Sequence, residues 1–231
     1  MKHGKKYRAA AAKFEKLEPK GFDEAAKMVK EVAFAKFDES VDLALHLNLK
    51  KSQSVRDTLV LPHQFSAEKK ILVFAKGDKA EEAKTAGAAY VGDVELVEKI
   101  KEGWLDFDIA VATPDMMKDV GRLGPILGRR GLMPNPKTQT VTFDIKGAIA
   151  ELRKGRVEYR TDKAGCVNIT VGKVSMEPDT IVENVRAVIR EIERKRPPDV
   201  KGEYIRTATL SSTMGPGVRV STKKELAKEG R

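Results

Sequence analysis

The chain of 231 residues carries 44 Lys and Arg against 34 Asp and Glu, a formal net charge of +10, and 41% hydrophobic residues. That suits one or two soluble domains with a real core, and the excess positive charge favours a polyanionic partner without saying which. A single cysteine, Cys166, excludes an intrachain disulfide, and no apolar run approaches the ~20 residues of a membrane span, so a cytosolic chain is expected.

The start, to Arg8, reads as a basic arm with one aromatic and not as a signal peptide. Phe22, Ala25, Ala26, Val29, Val32 and Ala33 recur at helical spacing, with Asp23 and Glu24 in the first turn. Val41, Leu43, Leu45, Leu47 and Leu49 then alternate with polar or small residues, which predicts a strand with one face on a core. A polar turn from Lys50 to Ser54 leads to a second strand, Asp57 to Leu61, stopped by Pro62.

From Ile71 the pattern changes. Ile71–Ala75 and Ile109–Ala112 are short continuous apolar runs, as in strands buried on both faces. Between them come an Ala- and Glu-rich helix (Lys79 to Ala86), a small strand at Tyr90 and Val91, and a helix carrying Val94, Val97 and Ile100. Thr113-Pro114-Asp115 reads as N-cap, N1 proline and first-turn acid of another helix. Gly121 to Lys137, with four glycines, three prolines and four cations, its final lysine among them, reads as an ordered basic loop. A strand at Val141 to Phe143 and a helix from about Lys146 to Lys154 follow.

After Gly155 the alternating style returns in Val157 and Tyr159, then Val167, Ile169 and Val171. Ile181, Val182, Val185, Val188, Ile189 and Ile192 mark a long helix begun by Pro178-Asp179 and stopped by Pro197-Pro198. A last strand, Tyr204 to Leu210, runs into Ser211-Ser212-Thr213-Met214-Gly215-Pro216-Gly217, and the lysine-rich tail from Lys223 is expected to fray. The ends thus share one style and the middle has another. The expected architecture is a discontinuous α+β outer domain, 1–66 plus 157–231, built as a split β-α-β arrangement with an antiparallel sheet and helices on one face. A three-layer, Rossmann-like α/β domain, 67–156, is inserted into it. The two outer segments hold 13 basic and 9 acidic, and 15 basic and 11 acidic, side chains, so they carry +8 of the +10.

Catalysis finds little support in the residues. His3, His46 and His63 are scattered, Cys166 lacks an activating neighbour, and no C-x-x-C or H-E-x-x-H pair is present, so neither metal nor cofactor is expected. The glycines at 121, 124, 128 and 131 match neither a dinucleotide-binding nor a P-loop spacing, which weakens the rival reading of a nucleotide-dependent enzyme. The basic loop could touch phosphate or be a solvated structural loop. In Thr213-Met214-Gly215, hydroxyls, a pliant thioether and glycines able to take positive φ form either a strand-end turn or a binding loop. Phe37, flanked by Lys36 and Asp38, could stack on a base or sugar, or staple helix to strand. With 6% aromatic residues, a folded RNA read by shape fits better than a single strand on a stacking platform.

Lys36-Phe37-Asp38-Glu39-Ser40-Val41, Val60-Leu61-Pro62-His63, Gly103-Trp104-Leu105-Asp106-Phe107-Asp108, Ala112-Thr113-Pro114-Asp115, Gly131-Leu132-Met133-Pro134-Asn135-Pro136-Lys137 and Thr213-Met214-Gly215-Pro216 occur in this order. Together they resemble the bacterial L-one family of ribosomal proteins over nearly the whole chain. The resemblance implies a two-domain, non-enzymatic protein that binds large-subunit rRNA at the mobile stalk and takes part in release of deacylated tRNA from the exit site. It also implies repression of its own operon mRNA and a monomer outside the ribosome, with direct contact to exit-site tRNA an open point. By motif it carries RNA contacts onto Lys36, Phe37 and Ser40, and onto Thr213, Met214 and Gly215, with Thr213–Gly215 against the RNA backbone and Phe37 facing it. Ser211 is added, as is Asn168, which stands where some members carry histidine. The chain departs from the family at Lys50–Asp57, at Gln64 and at Arg129, where proline is common.

Overall fold

The computed structural model describes residues 4–13, 18–49, 53–65 and 69–222. The first three residues of the basic arm, part of the Lys50–Ser54 turn, the expected domain boundary at 66–67 and the tail from Lys223 lie outside them. In chain order the elements are α1 (Lys5–Ala11), α2 (Phe22–Val32), β1 (Ser40–Leu47), β2 (Arg56–Val60), β3 (Ile71–Phe74), α3 (Asp78–Thr85), β4 (Tyr90–Gly92), α4 (Val94–Lys101), β5 (Ile109–Ala112), α5 (Met117–Val120), α6 (Gly124–Leu127), α7 (Ile145–Arg153), β6 (Arg156–Arg160), β7 (Cys166–Lys173), α8 (Pro178–Arg194), β8 (Ile205–Ser212) and β9 (Val218–Val220). They form two compact units, Met1–Phe65 with Val157–Arg231 (unit 1) and Ser66–Arg156 (unit 2).

Unit 1 is organised by β1, the central strand of a four-stranded sheet in the order β7-β1-β8-β9, with β1 antiparallel to both neighbours. The inward phase of β1, Val41, Leu43, Leu45 and Leu47, is buried, and the outward phase is half-buried. The apolar faces of α2 and α8 pack on the inward side, joining Phe22, Ala25, Ala26 and Val29 to Ile181, Val185, Val188 and Ile192 in one core. β2 and β6 form a separate two-stranded sheet. The edge at β9 is covered by Lys20, whose N–H donates to Arg219 O (3.0 Å) and whose carbonyl accepts from Ser221 N (2.9 Å).

In α8, fully buried Asn184 accepts from His63 N (3.0 Å) through Oδ1 and donates through Nδ2 to His63 O (3.0 Å) and Val171 O (2.8 Å). His63, alone in sequence, thus has Asn184 on its main chain, and Glu183 lies 2.5 Å from its Nε2. Asn184→Ala would leave these main-chain groups without partners inside the protein. We expect it to lower unfolding free energy by about 2–3 kcal/mol, read as a lower urea midpoint at unchanged slope.

Unit 2 is built on a parallel sheet in the order β4-β3-β5. Because β3 is buried on both faces, its side chains serve two cores: Leu72 and Phe74 meet α4, α5 and α6, while Ile71 and Val73 meet α3 and α7. Helices therefore lie on both faces of the sheet.

Several local expectations are corrected. The basic arm is helical in α1, since Lys5 to Ala12 holds no helix breaker and Ala10 is buried. The strand expected at 141–143 is a single parallel bridge, Ala112 to Val141, because Phe143 turns to solvent beneath Lys79 Nζ (4.4 Å from the ring centre). Thr113 does not cap a helix through its side chain: its hydroxyl turns to Phe74 O (3.4 Å), and a 3-10 turn over Pro114–Met116 precedes α5. The first half of the 121–137 loop is helical, a 3-10 turn over Gly121–Leu123 running into α6, because Leu123 and Leu127 recur four apart and are buried.

Candidate nucleic-acid interface

At one end of the unit 1 sheet, the connection from α2 to β1 meets the loop between β8 and β9. The inward phase of β1, carried back two residues from Val41, falls on Glu39, which is 1% exposed. An acid placed inward must find donors, and this one does. Its Oε1 accepts from Ala35 N (2.8 Å) and Phe34 N (3.1 Å), and its Oε2 accepts from Met214 N (3.0 Å). Burial raises the carboxyl's pKa, but the main-chain hydrogen bonds from Met214 and Ala35, then the Ser212 side chain and Phe34, outweigh it and hold the pKa below the ordinary value. One carboxylate thus closes the 34–39 turn on itself and fastens the Met214 loop to it.

Further bonds draw the surrounding segments together. Ser40 N donates to Thr213 Oγ1 (3.1 Å), and Thr213 N donates to Ser40 O (3.1 Å). Lys173, at the end of β7, donates through Nζ to Ser40 Oγ (3.1 Å). Asp38 accepts from Ser175 N (3.1 Å) and Ser175 Oγ (2.9 Å). On this frame Lys36, Phe37, Thr213 and Met214 are exposed, with Phe37 at 57% and Met214 at 52%. Phe37 is therefore no staple into the core. Two large apolar side chains held out to solvent by an ordered polar frame make a surface suited to contact with a partner.

The turn's glycines act differently from the expectation. Neither Gly215 nor Gly217 has a positive φ. A Cβ on Gly215 would stand 2.4 Å from Ser212 Oγ, and one on Gly217 would stand 2.8 Å from Thr209 Cγ2, so both serve close packing within the hairpin. The strand is also longer than predicted, since β8 continues through Ser212 and β9 returns beside it, pairing Leu210 with Val218. Gly217→Ala is expected to lower stability by about 1–3 kcal/mol in urea denaturation, and adding Thr209→Ser, which removes the opposing methyl, to restore part of it.

Of the residues singled out in the sequence, Lys36, Phe37, Ser40, Thr213, Met214 and Gly215 fall in this cluster, and Ser211 lies beside it, opposite Asp42. Asn168 does not join them. It pairs with Ala44, four residues further along β1 and about 13 Å away at the usual strand rise, on the exposed face of the sheet. Sequence reasoning missed Glu39, Asp38 and Lys173 as members of the frame. For Glu39 the signal was available in the phase of the β1 alternation. For Lys173 it was not, because only the β1–β7 register sets it opposite Ser40.

Among the described residues, no group of three or more His, Cys, Asp or Glu side chains is placed to hold a metal, and no helix is long and apolar enough to cross a membrane. What stands out is a recognition surface on a mixed α/β scaffold, the mark of a binding protein. The chain belongs to the ribosomal protein L1p/L10e family, whose profile matches residues 29–216. It is 63% identical over 223 residues to large ribosomal subunit protein uL1 of Treponema denticola, covering 96% of this chain and 99% of that one. The uL1 proteins of Borrelia duttonii (58% over 219 residues, 95% and 98% covered) and Treponema pallidum strain Nichols (56% over 225 residues, 97% and 100% covered) are similarly related. The family is one of structural ribosomal proteins, not enzymes.

Proposed function

We propose that this protein is a component of the large ribosomal subunit in the cytoplasm, and that unit 1 is its rRNA-binding domain, with unit 2 inserted into it. The observation that carries the reading is the paired exposure of Phe37 and Met214 on a frame fixed by buried Glu39. Phe37 stacks on a base or sugar, and Met214 fits an irregular apolar surface of the RNA. Lys36 supplies charge to phosphate, while Thr213 and Gly215 bring the main chain close to the RNA backbone. Asn168 belongs to a second, more distant contact on the open face of the sheet.

In this reading the protein holds the mobile stalk, whose motion helps release deacylated tRNA from the exit site. Outside the ribosome it is a monomer that represses its own operon by binding an mRNA element shaped like the rRNA site. The family membership and the near full-length likeness to uL1 proteins support this assignment. A salt-dependent titration tests it, using a stalk rRNA fragment, the operon leader and a scrambled RNA of equal length. The expected result is at least a ~100-fold preference for the first two over the scrambled RNA at physiological salt, and mutual competition between them. Equal binding to all three, steeply weakened by salt, would mean bulk charge alone and would overturn the assignment.

A further inference from the structure

The segment from Met116 to Gly131 of unit 2 has no part in the unit 1 site. Its inward positions, Met116, Val120, Leu123 and Leu127, are fully buried and fix the segment on the core. Lys118, Arg122, Arg129 and Arg130 are exposed, and among the described residues their side chains make no ion pair or hydrogen bond. The one carboxylate between Met116 and Gly131 is Asp119, and Lys76 lies 4.0 Å from it. Four cations in one short segment thus stand without a counter-charge of their own.

The glycines of the same segment supply a second observation. Gly121 and Gly124 have ordinary right-handed helical geometry, φ −55° and ψ −31°, and φ −48° and ψ −44°. A Cβ at Gly121 would meet nothing within 4 Å, and alanine is favoured over glycine in such a turn, whereas Gly124 precedes Pro125, whose ring disfavours right-handed helical geometry in a residue that carries a Cβ. Gly128 and Gly131 differ, because a Cβ on Gly128 would strike Gly124 O at 2.6 Å and Gly131 has φ +70°. Three of the four glycines therefore have a reason inside the fold and Gly121 has none. A glycine kept in a helical turn against local preference leaves the main chain open to close approach from outside.

We propose that this face of unit 2 is an RNA-docking surface separate from the unit 1 site. Arg122, Arg129 and Arg130 bond phosphate oxygens, and Gly121 lets the sugar–phosphate backbone settle onto the main chain. The guanidinium fork matches phosphate geometry, and contacts of this kind hold an RNA without reading its bases. Residues 116–131 include no aromatic side chain to stack on a base, which fits a duplex backbone. They also expose no large apolar side chain, which the core of a protein–protein interface would require.

The test is a titration of the full-length chain with a 20-base-pair RNA duplex of arbitrary sequence, over a range of salt concentrations. R122Q/R129Q/R130Q is expected to bind at least ~10-fold more weakly at low salt and to flatten the slope of log K against log salt by about 2–3. G121A keeps every charge and is expected to resist urea at least as well as the parent chain, yet to bind the duplex several-fold more weakly. Binding through unit 1 is common to all three proteins and cancels in the differences. An unchanged slope in the arginine variant, or undiminished binding by the glycine variant, would overturn the proposal. So would polyglutamate of matched charge competing as well as the duplex, which would assign the face to an acidic protein.

Discussion

Met214→Asp is expected to weaken binding to the stalk rRNA fragment by about 100-fold or more while leaving the urea midpoint close to that of the parent chain. The side chain is half exposed, so its loss removes little from the core. Its main-chain N–H stays on Glu39, so the loop keeps its shape. What changes is the surface offered to the RNA: a pliant apolar group is replaced by a negative charge facing phosphates. Loss of a central contact together with like-charge repulsion is worth about 3 kcal/mol, or a hundredfold in affinity. Binding to the scrambled RNA should fall much less. Unchanged affinity for the stalk fragment would remove Met214 from the interface.

Glu39→Gln attacks the frame and not the surface. Its carboxylate accepts three main-chain N–H groups, two from its own turn and one from Met214. An amide has one oxygen to offer and turns an N–H₂ toward a donor. We expect a loss of about 2 kcal/mol in stability at pH 7 and a ~10- to 30-fold loss of affinity for the stalk fragment, because the Met214 loop is no longer held against the 34–39 turn. The pH dependence carries a sign. Since the folded carboxyl has its pKa lowered from the ordinary 4.5, its contribution is complete above that value and disappears as pH falls through the folded pKa. Stability curves of the parent and Glu39→Gln should therefore differ at neutral pH and converge in acid. A constant gap down to low pH would show that the carboxylate's charge does not hold the turn.

These residues also show what the sequence could and could not disclose. Alternation in Val41–Leu47 announced a half-buried strand because a sheet face forces period two, and the six apolar positions of α8 announced a helix for the matching reason. The same phase pointed Glu39 inward, although its donors could not be foreseen, since one of them lies 175 residues away across the sheet. Local chemistry misled where packing decided the outcome. Glycine and proline between Gly121 and Lys137 suggested a loop, but burial of Leu123 and Leu127 stabilises helical turns there despite them. Gly215 and Gly217 suggested left-handed turns, and they are glycines because Ser212 and Thr209 leave no room for a Cβ. Asn168 was added only because it stands where some family members carry histidine, and the β1–β7 register sets it apart from the Phe37 cluster.

The most direct test of the central claim is site-specific photocrosslinking inside assembled large subunits. A photoreactive side chain would replace Met214 in one preparation and exposed Val94 of unit 2 in another. We expect position 214 to crosslink to a single stretch of large-subunit rRNA, and position 94 not to reach that stretch. Crosslinks from position 214 only to neighbouring proteins, or to scattered RNA sites no different from those of position 94, would contradict the assignment of this surface as the RNA grip.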